Sequence, residues 1–267
     1  MLTPRVLLAP HLPTLLVDEH RGHETPMLQA LAAEAARLAV EPPDVVVALS
    51  ARWVSDGPFL IDAGRRHRTL TDYPGFGVEV RYDCDGAPAL ARALVERLTR
   101  AGVRVGAAVR GADSGVTVPL HFLLPRRSVP VVPVSLAHQD GEACRSFGAL
   151  LARALTERTE RALFVVGGHL SADMHAWNFQ REVPEAVALD THLLRVFEAG
   201  DWGALREIAP GVFERGRPDA ELRHLDVLRG FLGGDRPGLV HAYESSHGVG
   251  VVFASFALDG AADPNPA

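Results

Sequence analysis

The chain has 267 residues, 47% hydrophobic and 22% charged, a globular profile with room for one large α/β domain or two small ones. A formal net charge of −6 gives no electrostatic footprint for nucleic acid, and no apolar run is long enough to span a bilayer. All 27 basic residues are arginine, which excludes Schiff-base lysines and a Walker-type phosphate lysine, while Cys84 and Cys144 lack the CxxC spacing of a zinc ribbon and argue against a disulfide framework.

Arg5-Val6-Leu7-Leu8-Ala9-Pro10 is a first strand that runs into His11. Pro10, His11 and Pro13 interrupt the apolar run, and no cationic lead precedes it, so the segment is not a secretory signal and a cytoplasmic location is the default expectation. Residues 12–23, rich in Pro, Asp, Glu and His, read as a loop. Thr25-Pro26 start a helix over 27–40, with a capping hydroxyl and proline in the first turn, and Pro42-Pro43 stop it. Asp44-Val45-Val46-Val47-Ala48-Leu49 is a second strand, leading into Ser50-Ala51-Arg52-Trp53. Strand, helix, strand over this span is a βαβ unit.

Residues 59–62 form a short strand, 69–77 a loop, and 78–82 alternate as a further strand. An amphipathic helix over 87–101 ends at Gly102, and a strand follows over 103–109. Gly111-Ala112-Asp113-Ser114-Gly115 is a loop in which Asp113 reads as a cap, and a short apolar segment begins at 118–121. A strand over 129–136 carries an irregularity at Pro133, and 141–158 is helical. Leu163-Phe164-Val165-Val166 has the composition of a buried parallel strand. Gly167 and Gly168 end it and allow a close backbone approach. His169, Ser171, Asp173 and His175 follow at once. Residues 184–199 and 218–232 are helical, 202–208 form a shorter helix, and 239–244 and 249–256 are closing strands. No repeat, low-complexity block or linker divides the chain, so we expect a single α/β domain over 1–258 and a flexible tail over 259–267.

In open α/β sheets ligands bind beyond the carboxyl ends of the strands. Three strand ends here carry His11, Arg52 and His169, and we expect them to face one pocket. His121 and His247 read as core, loop or surface residues. Arg52 has two readings: an ion pair with a carboxylate such as Asp56 or Glu221, or a bidentate fork for an anionic ligand.

Several segments, in order along the chain, resemble the class III extradiol ring-cleavage dioxygenases, the LigB-like superfamily, and within it the branch of the DOPA dioxygenases. They are Ala9-Pro10-His11-Leu12-Pro13-Thr14-Leu15, Asp72-Tyr73-Pro74-Gly75-Phe76-Gly77, Tyr82-Asp83-Cys84-Asp85-Gly86, and the stretch 111–120, which is similar to an Asp-His-Gly loop. The stretch 166–174 is similar to a Ser-Gly-x-Leu-Ser-His segment. Asp190, Gly200-Asp201, Ala220-Glu221-Leu222-Arg223, Tyr243-Glu244 and Gly248-Val249-Gly250 extend the likeness to the C-terminal part. The resemblance implies a mixed central sheet flanked by helices, assembly as a homodimer or larger homo-oligomer, and a small-molecule substrate. It also implies two histidines and one carboxylate that hold Fe(II), with open positions for a catechol and dioxygen, and a further histidine for the substrate proton.

The chain departs from this pattern where it matters. His11 matches the first ligand and Glu221 the carboxylate ligand, but Arg52 replaces the histidine of Ser-Ala-His-Trp. Arginine stays cationic and offers no lone pair. Ser114 and Ala172 replace two further histidines. His169, or else His175, can supply a compensating third ligand, which gives His11, Glu221 and His169 as the expected metal set, for Fe(II) or Zn(II), and His169 and Arg52 as the expected catalytic pair. Glu221 is also explained as a first-turn helix carboxylate without any metal. The functional expectation is an extradiol dioxygenase-like enzyme on a catecholic or phenolic substrate. The alternative is a metal-free member that binds a small anionic or aromatic ligand without ring cleavage, and a protein-interaction role is a third class with no supporting stripe.

Overall fold

The computed structural model describes residues 1–73 and 75–258; Pro74, within the expected 69–77 loop, and the expected tail over 259–267 lie outside the described residues. The strands in chain order are β1 Leu2–Ala9, β2 Val45–Ser55, β3 Phe59–Asp62, β4 Arg66–His67, β5 Cys84–Asp85, β6 Val105–Ala108, β7 Val131–Ala137, β8 Ala162–Gly167, β9 Gly238–Ser246 and β10 Val249–Ala257. The α-helices are α1 Thr14–Arg21, α2 Pro26–Val40, α3 Pro88–Arg100, α4 Ser114–Leu123, α5 Gly141–Thr156, α6 Met174–Asn178, α7 Pro184–Ala199, α8 Pro210–Gly216 and α9 Arg223–Leu232.

Eight strands form one mixed sheet in the order β6-β3-β7-β2-β8-β1-β10-β9. The central four, β7, β2, β8 and β1, run parallel, while β10 and β9 close one side antiparallel. Both faces are covered, and side chains alternate between them with the period of two that a pleated strand imposes. Val45, Val47 and Leu49 of β2, with Phe164 and Val166 of β8, pack toward Leu90, Phe147, Leu151, Leu189 and Leu228 of α3, α5, α7 and α9. Val46, Ala48, Leu163 and Val165 face Leu15, Met27, Leu31 and Leu120 of α1, α2 and α4. This double coverage explains why the parallel strands are continuous apolar runs. Among the described residues no helix is long and apolar enough to cross a membrane.

Local chemistry sets several boundaries. Thr25 accepts a hydrogen bond from the Leu28 N–H with Pro26 in the first turn of α2, and Asp140 accepts one from Ala143 N–H at the start of α5. Three expectations fail. Residues 14–21, expected as loop, are the helix α1, because Leu15 and Leu16 are buried beneath an otherwise polar turn. Residues 78–82 form no regular strand. The helix expected over 218–232 is α9 from Arg223 onward; before it, Ala220, Glu221 and Leu222 adopt left-handed backbone, with φ of 47°, 53° and 61°.

Candidate metal centre

The parallel register brings the three expected strand ends into one row. Ala9 of β1 pairs with Gly167 of β8, and Ser50 of β2 pairs with the same Gly167. His11, His169 and Arg52 each stand two residues beyond that row. All three line one cavity. The imidazoles of His11 and His169 stack with ring centroids 3.8 Å apart.

The site depends on close main-chain packing around Gly167 and Gly168. A Cβ on Gly167 would overlap the carbonyl oxygen of Gly115 in the first turn of α4, and one on Gly168 would lie 2.5 Å from Cδ2 of His224. The expected close approach is thus real, and its partners are α4 and α9. Ser50 Oγ donates to Asp113 Oδ1 at 2.7 Å, which ties the end of β2 to the start of α4. Asp113 stands at the N-cap position but makes no side-chain cap bond to the helix.

The carboxylate beside the two histidines is Asp219, which the sequence did not single out. Ligand atoms of His11, His169 and Asp219 all lie within 4.8 Å of one another. Asp219 Oδ2 accepts the His169 N–H at 2.8 Å, and the Asp219 N–H donates to the Leu170 carbonyl at 2.9 Å. On the other side, the His169 carbonyl accepts from Nε2 of the buried His224 at 2.9 Å. The His169 peptide is therefore held from both directions.

Glu221 lines the same cavity but is not in this cluster. The left-handed turn sends its carboxylate to solvent, where it accepts from the Arg223 guanidinium at 2.7 Å. His175 is exposed against Phe179 and lies outside the cluster too. His121 pairs with Glu19 at 2.7 Å, and His247 sits at φ 49° in the turn between β9 and β10. Arg52 pairs with neither Asp56 nor Glu221: its Nε lies 3.5 Å from Asp72 Oδ2. Asp72 in turn accepts both the N–H and the hydroxyl of Ser114. Two positions where the resemblance expects histidine, 52 and 114, are thus joined through one aspartate.

Burial sets the charge state. It lowers the His169 pKa to about 4, and it lowers that of His11 well below the usual imidazole range, with His169 adding to the effect. Burial opposes the charge on Asp219, but the neighbouring imidazoles and the His169 N–H outweigh it and hold the carboxyl below its usual range. Two neutral imidazoles and a carboxylate are the protonation states that a cation needs.

The donor set also passes a test on unsatisfied atoms. Nδ1 of His11 and both ring nitrogens of His169 are buried without a hydrogen-bond partner. Buried polar atoms are rarely left so, and a bound cation removes the cost. Two histidines and one carboxylate with open space beside them suit non-haem Fe(II) and also accept Zn(II). The cavity continues on two sides of this cluster. One lobe, about 400 Å³, is walled by Tyr73, Phe76 and Trp177, with the Phe76 and Trp177 rings 5.6 Å apart. The other, about 570 Å³, is walled by Phe213, Arg217 and the 218–221 turn.

Comparison with known proteins gives this arrangement a family. The chain is 29% identical over 244 residues to a Pseudomonas 2-aminophenol 1,6-dioxygenase alpha subunit, covering 83% of this chain and 87% of the relative. It is 27% identical over 227 residues to a 4,5-DOPA dioxygenase extradiol of Mirabilis jalapa, covering 79% and 81%. A solved structure of an uncharacterized Escherichia coli K12 protein superposes with a TM-score of 0.72 at 18% identity, over 95% of this chain and 99% of that one, a likeness of fold. Residues 5–257 match the family described as the catalytic LigB subunit of aromatic ring-opening dioxygenase, and the chain belongs to that family.

Proposed function

We propose that the chain is a metal-dependent extradiol-type dioxygenase acting on a catecholic or phenolic ring. His11, His169 and Asp219 hold the metal, and Arg52 contacts the substrate. The observation that carries this reading is the pair of buried, unpartnered imidazoles beside a carboxylate, at the junction of an aromatic-walled cavity. Fe(II) bound there supplies a site for dioxygen activation; Zn(II) fills the same donors without redox chemistry. The chain's own residues do the rest. Phe76 and Trp177 flank a planar ring and exclude water from it. His224 and Asp219 fix the His169 backbone, which sets where its side chain enters the cavity. Arg52 presents a permanent positive charge at the cavity wall and favours the ionised form of a bound phenol. A homodimer or larger homo-oligomer belongs to the same reading.

The experiment is anaerobic Fe(II) titration of chelator-treated protein, followed by oxygen uptake on a panel of catechols and 2-aminophenol. We expect one equivalent of Fe(II), substrate-dependent oxygen uptake, and about a hundredfold weaker binding in His169→Ala and Asp219→Asn, with Glu221→Gln unchanged. Fe(II) binding that ignores His169 and Asp219 sinks the ligand assignment. A second reading rests on Arg52, Ser114 and Ala172, which leave no imidazole for the substrate proton among the described cavity residues beyond the two metal donors. It predicts ligand binding without oxygen uptake.

A further inference from the structure

The two edges of the sheet are built differently. β9 ends one side, and a bulge interrupts it: Phe253 pairs with Ala242 but Ala254 pairs with Val240, so His241 is an extra residue. A bulge of this kind twists an edge away from a flat partner. The β9 side chains are also engaged, since Tyr243 donates to Asp190 at 2.8 Å and Glu244 accepts the Met27 N–H at 3.1 Å. β6 ends the other side and carries none of these devices. Between Arg104 and Arg110 the chain reads Val105-Gly106-Ala107-Ala108-Val109, without a charge or a proline. Ala107 is exposed, and the Val109 side chain stands in water at 81% exposure.

The ladder leaves one side of β6 unanswered. The Phe59 N–H donates to the Arg104 carbonyl at 2.9 Å, and the Ala63 N–H to the Ala108 carbonyl at 2.8 Å. Residues 104, 106 and 108 therefore turn their main-chain groups toward β3, and 105 and 107 turn theirs away. Among the described residues no strand pairs with that outer side. A row of unpaired main-chain groups on an uncharged edge is a template for another strand.

We infer that β6 is an interface between two copies of this chain, joined edge to edge and antiparallel about a two-fold axis. The sequence selects the register. An axis through Ala107 would set Arg104 opposite Arg110 of the second copy, and like charges directly opposite are destabilising. An axis through Gly106 sets Arg104 opposite Ala108 instead. Val105 then faces Ala107 of the second copy, and the two exchange both main-chain hydrogen bonds. Val103 faces Val109, which covers the exposed valine with a β-branched partner. A second copy is the partner this edge specifies, because one stretch supplies donors and acceptors to itself with no charge opposed. The contact is isologous, so each pairing occurs twice and one sheet runs through both copies. The inference rests on the homodimer of the proposed reading and gives it a face. It is independent of the metal donors, since β3, β7 and β2 lie between β6 and β8.

Sedimentation equilibrium and amide hydrogen exchange on the purified protein test it. We expect a dimer in which the Val105 and Ala107 amides are protected, although β3 offers them no acceptor. Ala107→Pro removes the outward N–H at an edge position, where proline is tolerated because β3 does not use that donor. Val109→Lys places a charge on the edge. Each substitution should weaken dimerisation about tenfold or more, expose the Val105 amide and leave the far-ultraviolet circular dichroism unchanged. Should the proline variant fail to fold, Val109→Lys carries the comparison. A native protein that sediments as a monomer, or whose Val105 and Ala107 amides exchange freely, overturns the inference without any variant. So does a dimer whose affinity is unchanged by the substitutions, which assigns assembly to another face. Anaerobic Fe(II) titration of the same native sample reads the proposed metal site separately. A β6 dimer that binds no Fe(II) removes the metal reading and leaves this inference standing; a monomer that binds Fe(II) does the reverse.

Discussion

Arg52 stands where the resemblance to the family leads one to expect a histidine. It stands in the same lateral row as His11 and His169, so a side chain there reaches the same cavity. A unit charge 4 Å from a divalent cation is opposed by about 4 kcal/mol per unit of that cation's charge at an effective dielectric near 20. Asp72 and water offset much of this, since the Arg52 side chain is 46% exposed. We therefore expect Arg52→His to bind Fe(II) about tenfold more tightly than the native protein, by adding an imidazole and removing a charge. Anaerobic titration of the two proteins at one pH measures it, and equal affinities would mean that position 52 does not reach the metal. His11, Arg52 and His169 were legible as a group because equal offsets from parallel strand ends put residues side by side. Asp219 was not. A helix over 218–232 would start near Glu221 and make it a first-turn carboxylate, whereas the left-handed residues 220–222 turn Glu221 outward and leave Asp219 on the cavity side. Left-handed backbone at Ala, Glu and Leu has no sequence signature.

At the scale of elements, the junction of β8 with α4 decides whether the site forms. Gly167 has ordinary backbone angles, so its small size matters for space alone. We expect Gly167→Ala to destabilise the protein by about 1–3 kcal/mol or more, because the methyl meets a carbonyl rather than a mobile side chain. Thermal unfolding reads this directly, and a melting temperature within a degree of native would show that α4 can move aside. The glycine pair was legible as a close approach, but its partner lies 52 residues earlier in the chain, beyond any local pattern. The strands were legible because burial on both faces writes long apolar runs. The helix α1 was hidden by its polar residues, and the expected strand over 78–82 misread alternation as pairing. Tyr73, within that loop, is held by the Val80 N–H rather than by a ladder.

For the molecule as a whole, buried titrating groups set opposing slopes of stability against pH. His169 is depressed to about 4, so the unfolded chain takes up its proton first; that contribution is full above about 6.5 and lost as pH falls through about 4. Asp190, buried on α7, is pushed up by desolvation to about 6, although Tyr243 and Ser171 donate to its Oδ2. Its contribution is full below about 3.8 and lost as pH rises through about 6. Asp190→Asn keeps both acceptor bonds and cannot charge. We expect the variant to gain about 1–2 kcal/mol on the native protein between about pH 5 and about pH 8. Chemical denaturation at the two pH values measures the change, and a difference independent of pH would show that Asp190 does not titrate in this range.

The backbone weave around His169 has a consequence for the history of such a site. The Leu170 N–H bonds to Gly250, the Asp219 N–H to Leu170, the Ala172 N–H to Arg217 and the Asp173 N–H to Gly248. These bonds join three distant segments through main-chain atoms and are indifferent to the side chains attached. Position 172 can therefore carry a methyl in place of an imidazole while the cavity keeps its outline. A scaffold of this kind uncouples inheritance of shape from inheritance of chemistry, so new reactivity becomes reachable by single substitutions that leave folding intact.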